Sequence, residues 1–185
     1  MEPRTIPRTI PEAYGSAATA GNLKQDVAHR VPVDLLTAAG MTGRRNPLGL
    51  ALWRISAAHD AAEFEFATEQ CAKLLMDVRR RAPRVWPGLN LAGAKEIAKE
   101  VLLCWWKRTC PKCEGRGYAV IPGTPTLSDA QCPSCHGTGE VDLVRHIGST
   151  LGAEATDPAR WLRGEIDAIQ AAMEQAMRGA LQARA

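Results

Sequence analysis

The segment that decides the fold has two similar halves, Cys110–Gly117 (CPKCEGRG) and Cys132–Gly139 (CPSCHGTG). Each half carries two cysteines at C-x-x-C spacing, and two such knuckles on one segment are typical of a zinc site with four thiolate ligands. The glycines after each cysteine pair can adopt positive φ, which a backbone needs when it turns tightly around an ion. The expected ligands of one structural Zn²⁺ ion are Cys110, Cys113, Cys132 and Cys135.

Other uses of these cysteines are less well supported by the sequence. Nothing marks the chain as secreted, so metal binding is favoured over disulfides, and thiol exchange needs only one C-x-x-C pair. A catalytic zinc keeps an open coordination position, whereas four cysteines close the shell, so His136 is expected at the surface rather than as a ligand. Cys71 and Cys104 have no close cysteine partner and lie at apolar helical positions, so we expect buried free thiols.

The bulk composition is that of a soluble protein with one compact domain or two small ones. The chain has 185 residues, 45% of them hydrophobic, with a net charge of +3 and an isoelectric point of about 8.6. This charge is too small to argue for nucleic acid by itself. No signal peptide and no run long enough to span a membrane are apparent, so we expect a cytoplasmic protein.

The expected organisation is a polar, disordered tail at residues 1–30, a helical region at 31–108, a zinc module at 109–144 and a C-terminal region at 145–185. A short helix should run from Pro32 to Ala39 and end at Gly40, before a loop at 41–47. Apolar residues at three- and four-residue steps then predict helices over 48–81, with a joint near His59-Asp60 where Asp60 caps the second helix, and over 92–107. Each knuckle should be followed by a strand, at 118–121 and 140–144, with a loop at 122–129.

An arginine run, Arg79-Arg80-Arg81, precedes Ala82-Pro83 and should end the long helix. Cations at this position complement the helix dipole, which is the simpler explanation of the run. The alternative is that these arginines form a phosphate-facing patch together with Arg84.

The C-terminal region has the pattern of a helix-turn-helix. A short helix, a turn at 152–156 and a helix from Asp157 (N-cap) and Pro158 (first position) to about residue 181 are expected. In that motif the N-terminal end of the second helix enters the major groove. The candidate DNA contacts are therefore Arg160 and Arg163 on the second helix, with Arg145 and His146 touching the backbone.

With these segments placed, the chain from about residue 34 onward resembles the lambda-type Q antitermination proteins of lambdoid phages. The shared order is an Ala-Ala-Gly-Met segment ending at Met41, a long helical stretch, a second helix ending at a cysteine, two C-x-x-C-x-G-x-G knuckles, and a helix start at Asp157–Trp161. The resemblance implies a mainly α fold, in which a small two-knuckle zinc module is inserted in a helical domain that ends in a helix-turn-helix-like pair.

The resemblance also implies a function. Q-type proteins bind double-stranded DNA at a phage late promoter, engage bacterial RNA polymerase with its sigma factor, and make it pass terminators. The expected role is therefore transcription antitermination in the bacterial cytoplasm, without enzymatic activity, small-molecule substrate or membrane. The alternative is a DnaJ-like chaperone cofactor or another zinc-stabilised interaction protein, because the DnaJ class uses the same knuckle, although no His-Pro-Asp turn occurs here. An enzyme is disfavoured because the four histidines form no metal-ligand pair at helical spacing.

Overall fold

The computed structural model describes residue 37 and residues 39–121, 123–124 and 126–182, and within this range the protein is mainly helical. The predicted disordered tail at 1–30 lies outside the described residues. The labelled elements are α1 (Pro47–Ala58), α2 (Glu63–Arg81), α3 (Leu91–Trp106), β1 (Tyr118–Val120), β2 (Leu127–Gln131), α4 (Leu143–Thr150) and α5 (Thr156–Gln182). The predicted mainly α fold is thereby confirmed, and the described residues also form one two-stranded sheet.

The described chain forms two compact units. The first contains the residues up to Gln70 and those from Glu165 onward, and the second is Cys71–Gly164. Helices α2 and α5 contribute residues to both units. The two knuckles lie in the second unit, and the segment boundaries expected from the sequence remain predictions.

In the first unit, residues Leu52 and Ile55 of α1 are fully buried, as their helical spacing predicts. The Asn46 side chain accepts a 2.8 Å hydrogen bond from the Gly49 N–H and so caps α1. The expected end of the preceding helix at Gly40 is wrong, because residues 39–43 are helical and the Arg44 N–H donates to the Gly40 carbonyl. The expected loop at 41–47 is correspondingly shorter.

The joint predicted near His59-Asp60 is confirmed. His59 adopts left-handed backbone geometry at the end of α1, with a φ of 54°. The Asp60 carboxylate accepts a 3.0 Å hydrogen bond from the Ala62 N–H, but α2 begins only at Glu63, so the prediction that Asp60 caps α2 is wrong. Helix α2 then ends at Arg81, before the alanine and proline, as expected.

In the second unit, α3 carries the predicted apolar stripe, and all of its members are buried: Ala94, Ile97, Ala98, Val101, Leu102 and Trp105. The Asn90 side chain caps this helix by accepting a 2.8 Å bond from the Gly93 N–H. Trp105 is buried and Trp106 is half-buried, since consecutive helical residues point about 100° apart. The helix ends four residues before Cys110 and so leads directly into the first knuckle.

The predicted strand after the second knuckle is wrong. Strand β1 follows the first knuckle as expected, but its antiparallel partner β2 precedes the second knuckle, within a segment expected to be partly loop. After the second knuckle only Glu140 forms a bridge, to Thr109, and α4 begins three residues later. This bridge involves one residue from each segment and does not require the residues that follow Glu140 to be extended. The apolar residues after Glu140 can therefore form a helix.

The C-terminal region contains two consecutive helices, α4 and α5, joined by a turn in which Gly152 has a φ of 98°. Asp157 is not the N-cap: α5 begins at Thr156, and Asp157 lies in its first turn, where a negative charge is also favourable. Assignment of this pair as a DNA-binding helix-turn-helix stays a prediction.

Candidate metal centre

The two knuckles have nearly the same backbone. Glu114 and His136, which directly follow the second cysteine of each knuckle, both have a φ of 51°, and the glycines after them have φ values of 84° and 87°. The N–H groups of Gly117 and Gly139 each approach a cysteine sulfur at 3.3 Å, namely Cys113 and Cys135. Such N–H groups stabilise a thiolate, so the backbone is arranged for negatively charged sulfur in both knuckles.

The knuckles are joined to each other by reciprocal hydrogen bonds. The Cys110 N–H donates to the Gly139 carbonyl at 2.8 Å, and the Cys132 N–H donates to the Gly117 carbonyl at 2.7 Å. The strand pair Tyr118–Gln131 has its counterpart in the Glu140–Thr109 bridge. Each pair becomes its counterpart when one residue number is raised by 22 and the other is lowered by 22. The same 22 residues separate Cys113 from Cys135. The module is therefore an internally repeated unit in which each half completes the other.

Two glycines allow this close approach. A Cβ atom at Gly117 would lie 2.4 Å from the Gly137 carbonyl oxygen, and one at Gly139 would lie 2.3 Å from the Gly115 carbonyl oxygen. Real Cβ atoms do not come so near to backbone atoms, and both positions also have positive φ. Glycine is thus required at both positions by sterics as well as by conformation.

The four sulfur atoms converge as the spacing predicts. The sulfurs of Cys110, Cys113, Cys132 and Cys135 all lie within 4.8 Å of one another, and the Cys113 and Cys135 sulfurs are 3.6 Å apart. A regular tetrahedral zinc site with bonds of about 2.3 Å has sulfurs about 3.8 Å apart, so the cluster fits an ion with little adjustment. The residues are at most 6% exposed. This group could hold a metal ion such as zinc.

The thiols differ in how readily they ionise. Burial opposes ionisation of Cys110, but N–H groups of Cys113 and Lys112 donate to its sulfur and bring its pKa down to about 7. The N–H groups of Ser134 and Cys135 likewise lower the pKa of Cys132. Burial raises the pKa of the Cys113 thiol to about 11. Cys110 therefore ionises before Cys113, and a bound cation would promote loss of the remaining protons.

Helix α4 is attached to the second knuckle by Arg145, one of the predicted DNA contacts. Its guanidinium donates to the Pro133 carbonyl at 2.7 Å and lies 3.3 Å from Nε2 of His136, which accepts in the matching tautomer. His136 is exposed and is not among the four clustered ligands. The side chain of Arg145 thus makes contacts within the protein, although it remains exposed.

His146, the next predicted DNA contact, is paired with α3. Its Nε2 lies 2.8 Å from a carboxylate oxygen of Glu100. Arg145 and His146 line one cleft beside Cys110, together with Lys107, and Arg160 and Arg163 are not among the residues that line it. The structure therefore brings together two of the four candidates.

Arg160 and Arg163 differ in exposure although they lie on the same turn of α5. The Arg160 side chain is 62% exposed and forms a 3.2 Å ion pair with Asp157. Arg163 is half-buried, and its charge acts on the Cys104 thiol. Of the two predicted α5 contacts, Arg160 is therefore the more exposed.

The two remaining cysteines are buried free thiols, as predicted. Burial raises the pKa of Cys71 to about 12. Burial and the Glu100 charge raise the pKa of Cys104 to about 11, although the Arg163 charge acts in the opposite direction. Both thiols stay protonated at neutral pH, which makes them poor nucleophiles and poor metal ligands.

Sequence reasoning missed the contacts that connect the module to its surroundings. The Glu100–His146 pair joins residues 46 positions apart, and the ring centroids of Trp86 and Trp161 are 5.7 Å apart. Local patterns carry no signal for such pairings, because they depend on which helices become neighbours. The only sequence feature that hints at the tryptophan contact is the position of Trp161 directly beside Arg160.

Within the part of the chain that the structure describes, no helix combines the length and the apolar character needed to cross a membrane. Comparison of the chain with protein-family models, with curated proteins and with solved structures finds no match. The four-thiol cluster and the charged side chains around it are accordingly the basis on which a function can be inferred.

Proposed function

We propose that the four cysteines hold one zinc ion with a structural role. The observation that supports this most strongly is the closed, buried set of four thiols. Four thiolates fill a tetrahedral shell and leave no position for a substrate, which favours a scaffold over a catalytic centre. Zinc binding would link the knuckle after α3 to the knuckle before α4, so that metal affinity contributes directly to folding.

We further propose that the chain is a DNA-binding transcription antitermination factor of the Q type. In this proposal the protein binds double-stranded DNA near a phage late promoter and acts on bacterial RNA polymerase with its sigma factor. The order of segments supports it, as do the paired helices that follow the module and the exposed guanidinium of Arg160 in the first turns of α5. Zinc would act indirectly, by holding α4 through Arg145 and the second knuckle.

The metal part of the proposal is tested by zinc content and helicity. Cys113→Ser should lose the expected one zinc per chain and part of the helical circular-dichroism signal, because one ligand of a closed shell is removed. Cys71→Ser is the matched control, since it also replaces a buried thiol but lies outside the cluster. A full zinc content in Cys113→Ser, or equal loss in both variants, would contradict a four-thiolate site.

The DNA part is tested by binding and by transcription. Fluorescence anisotropy with late-promoter duplexes should show affinity that falls steeply with salt, as phosphate contacts require. Arg160→Ala should weaken binding, and Arg178→Ala should not, although Arg178 is similarly exposed and ion-paired, in its case to Glu174. Metal-free protein should not bind. Read-through of a terminator downstream of a phage late promoter, dependent on this protein, then tests the antitermination role itself.

A second candidate, a chaperone cofactor of the DnaJ type, is favoured by the β1–β2 hairpin. Val120 and Leu127 are cross-strand partners and therefore share a face, and both are exposed, as is Tyr118. An exposed apolar ribbon suits binding of unfolded polypeptide. The candidate predicts that the protein suppresses aggregation of a denatured substrate and that Val120→Ser with Leu127→Ser abolishes this. No suppression by the wild-type protein would exclude it.

A further inference from the structure

The loop between α2 and α3 is held in a defined conformation. The Arg79 guanidinium donates to the carbonyl oxygen of Leu89 and, at 3.4 Å, to that of Pro87. Within the loop, the Val85 N–H donates to the Ala82 carbonyl at 2.9 Å and the Leu89 N–H to the Trp86 carbonyl at 3.0 Å. The Arg79 guanidinium therefore forms its hydrogen bonds within the loop, and these bonds hold the loop side chains in a preorganised arrangement.

Trp86 occupies a strained backbone position in this loop. Its φ is 52°, in a region that bulky residues rarely adopt. This backbone places the indole against Trp161 of α5, with ring centroids 5.7 Å apart and planes inclined by 59°. Aromatic pairs in such tilted arrangements are attractive, so the contact offsets part of the backbone strain. The tryptophan pair fixes this loop beside the first turns of α5.

This contact makes the loop and the start of α5 a single surface. Arg84 is two residues from Trp86, so their Cα atoms are at most about 7.6 Å apart, and Arg160 is adjacent to Trp161. Arg81, Arg84 and Arg160 are all exposed. Among the described residues, Arg81 and Arg84 have no ion-pair or hydrogen-bond partner, whereas Arg80 is paired with Asp77. Two unpaired guanidinium groups thus lie in, or directly before, the loop that contacts the candidate DNA-binding helix through Trp86.

We propose that Arg81 and Arg84 bind the phosphate backbone of the duplex that Arg160 contacts, and that Trp86 is the positioning residue of this phosphate-binding loop. The inference rests on the proposed DNA-binding function and adds a second contact region to it. Guanidinium groups suit phosphate because they present several donors in a fixed plane. Residues 81–90 carry two charged side chains, Arg81 and Arg84, and because both are cations a nucleic-acid backbone is favoured over a protein partner.

The experiment measures anisotropy of a labelled mixed-sequence DNA duplex between about 50 and 200 mM salt. Removing one arginine that neutralises a phosphate should reduce the slope of log K against log salt by about 0.9, so Arg81→Ala with Arg84→Ala should reduce it by up to about 1.8. Arg178→Ala, which removes one exposed arginine elsewhere, should leave the slope unchanged and is the charge-matched control for Arg84→Ala alone.

Trp86 is tested separately from the arginines. Trp86→Gly removes the indole and also relieves the positive φ, so folding should be retained, which zinc content and the unfolding midpoint monitor. If Trp86 positions Arg84, Trp86→Gly should show the same reduced salt slope as Arg84→Ala. Trp86→Phe should then have the wild-type slope. A normal slope in Trp86→Gly would refute the positioning role.

The outcomes separate this inference from the function on which it rests. Suppose that wild-type protein binds DNA, that Arg160→Ala weakens this binding, and that the Arg81→Ala/Arg84→Ala double variant has the wild-type salt slope. The loop inference is then wrong and the proposed function stands. If wild-type protein does not bind DNA, both fail. If the double variant retains its DNA slope but no longer binds purified RNA polymerase, the loop contacts protein and the phosphate assignment is overturned.

Discussion

Replacing Gly117 with alanine should weaken the metal centre far more than the same replacement at Gly123. Both glycines have positive φ, 76° and 79° respectively, so the conformational penalty is nearly matched. The steric surroundings differ. A Cβ at Gly117 would lie 2.4 Å from the Gly137 carbonyl oxygen, whereas one at Gly123 would meet nothing within 4 Å. The comparison therefore isolates the close approach of the two knuckles.

The expected magnitudes follow from these two effects. Positive φ costs an L-residue about 1–2 kcal/mol, which applies to both variants. At Gly117 the backbone must also shift to relieve the clash, and overpacking of this kind costs about 1–3 kcal/mol more. Because metal binding and folding of the module are coupled, the additional cost should appear as about 5- to 150-fold weaker zinc binding than in Gly123→Ala. Gly139→Ala should match Gly117→Ala, since its Cβ would lie 2.3 Å from the Gly115 carbonyl oxygen.

Zinc competition against a chromogenic chelator measures this difference, and thermal unfolding of the zinc-loaded proteins provides an independent measure. The expected order of affinity is wild type, Gly123→Ala, and then Gly117→Ala together with Gly139→Ala. Equal zinc affinity in Gly117→Ala and Gly123→Ala would refute the conclusion that the reciprocal contact of the knuckles sets the metal site. A large difference between Gly117→Ala and Gly139→Ala would refute the internal repeat.

Three further predictions concern stability. Asn90→Ala should lower the free energy of unfolding by about 1 kcal/mol in urea titrations, because it removes the acceptor for the Gly93 N–H at the start of α3. Leu102→Ala should cost about 2–5 kcal/mol in the same assay, since Leu102 is fully buried. Stability should fall as pH rises from about 9 to 12, because Cys71 loses its proton only in the unfolded chain; Cys71→Ala should reduce this slope, by at most about 1.4 kcal/mol per pH unit.

The helices were predictable because their signals are local. In α3, every member of the apolar stripe is buried, since a 3.6-residue period needs only the order of residues along one segment. The end of α2 at Arg81 follows from the restriction that a proline imposes on the residue before it, which also acts over a few residues. The cysteine cluster was predictable for a related reason, because C-x-x-C spacing determines how one knuckle presents its sulfurs.

The errors lie where local preference competes with distant partners. The apolar residues after Glu140 suit a strand, but pairing there is limited to the Glu140–Thr109 bridge, and α4 forms instead. Residues 127–131 were expected in part as a turn-rich loop, yet they are β2 because β1 lies opposite them. Gly40 lies inside a helix, because glycine permits a helix end without enforcing one.

The sequence by itself determined which segments are helical and which four cysteines converge, since periodicity and ligand spacing operate within a segment. Only the tertiary structure decided that the knuckles bond reciprocally, that Arg145 is attached to the second knuckle, and that Trp86 lies against Trp161. Each of these contacts joins residues that are not neighbours in the chain. Their formation depends on which surfaces become neighbours when apolar faces are buried, and no short stretch of sequence encodes that choice.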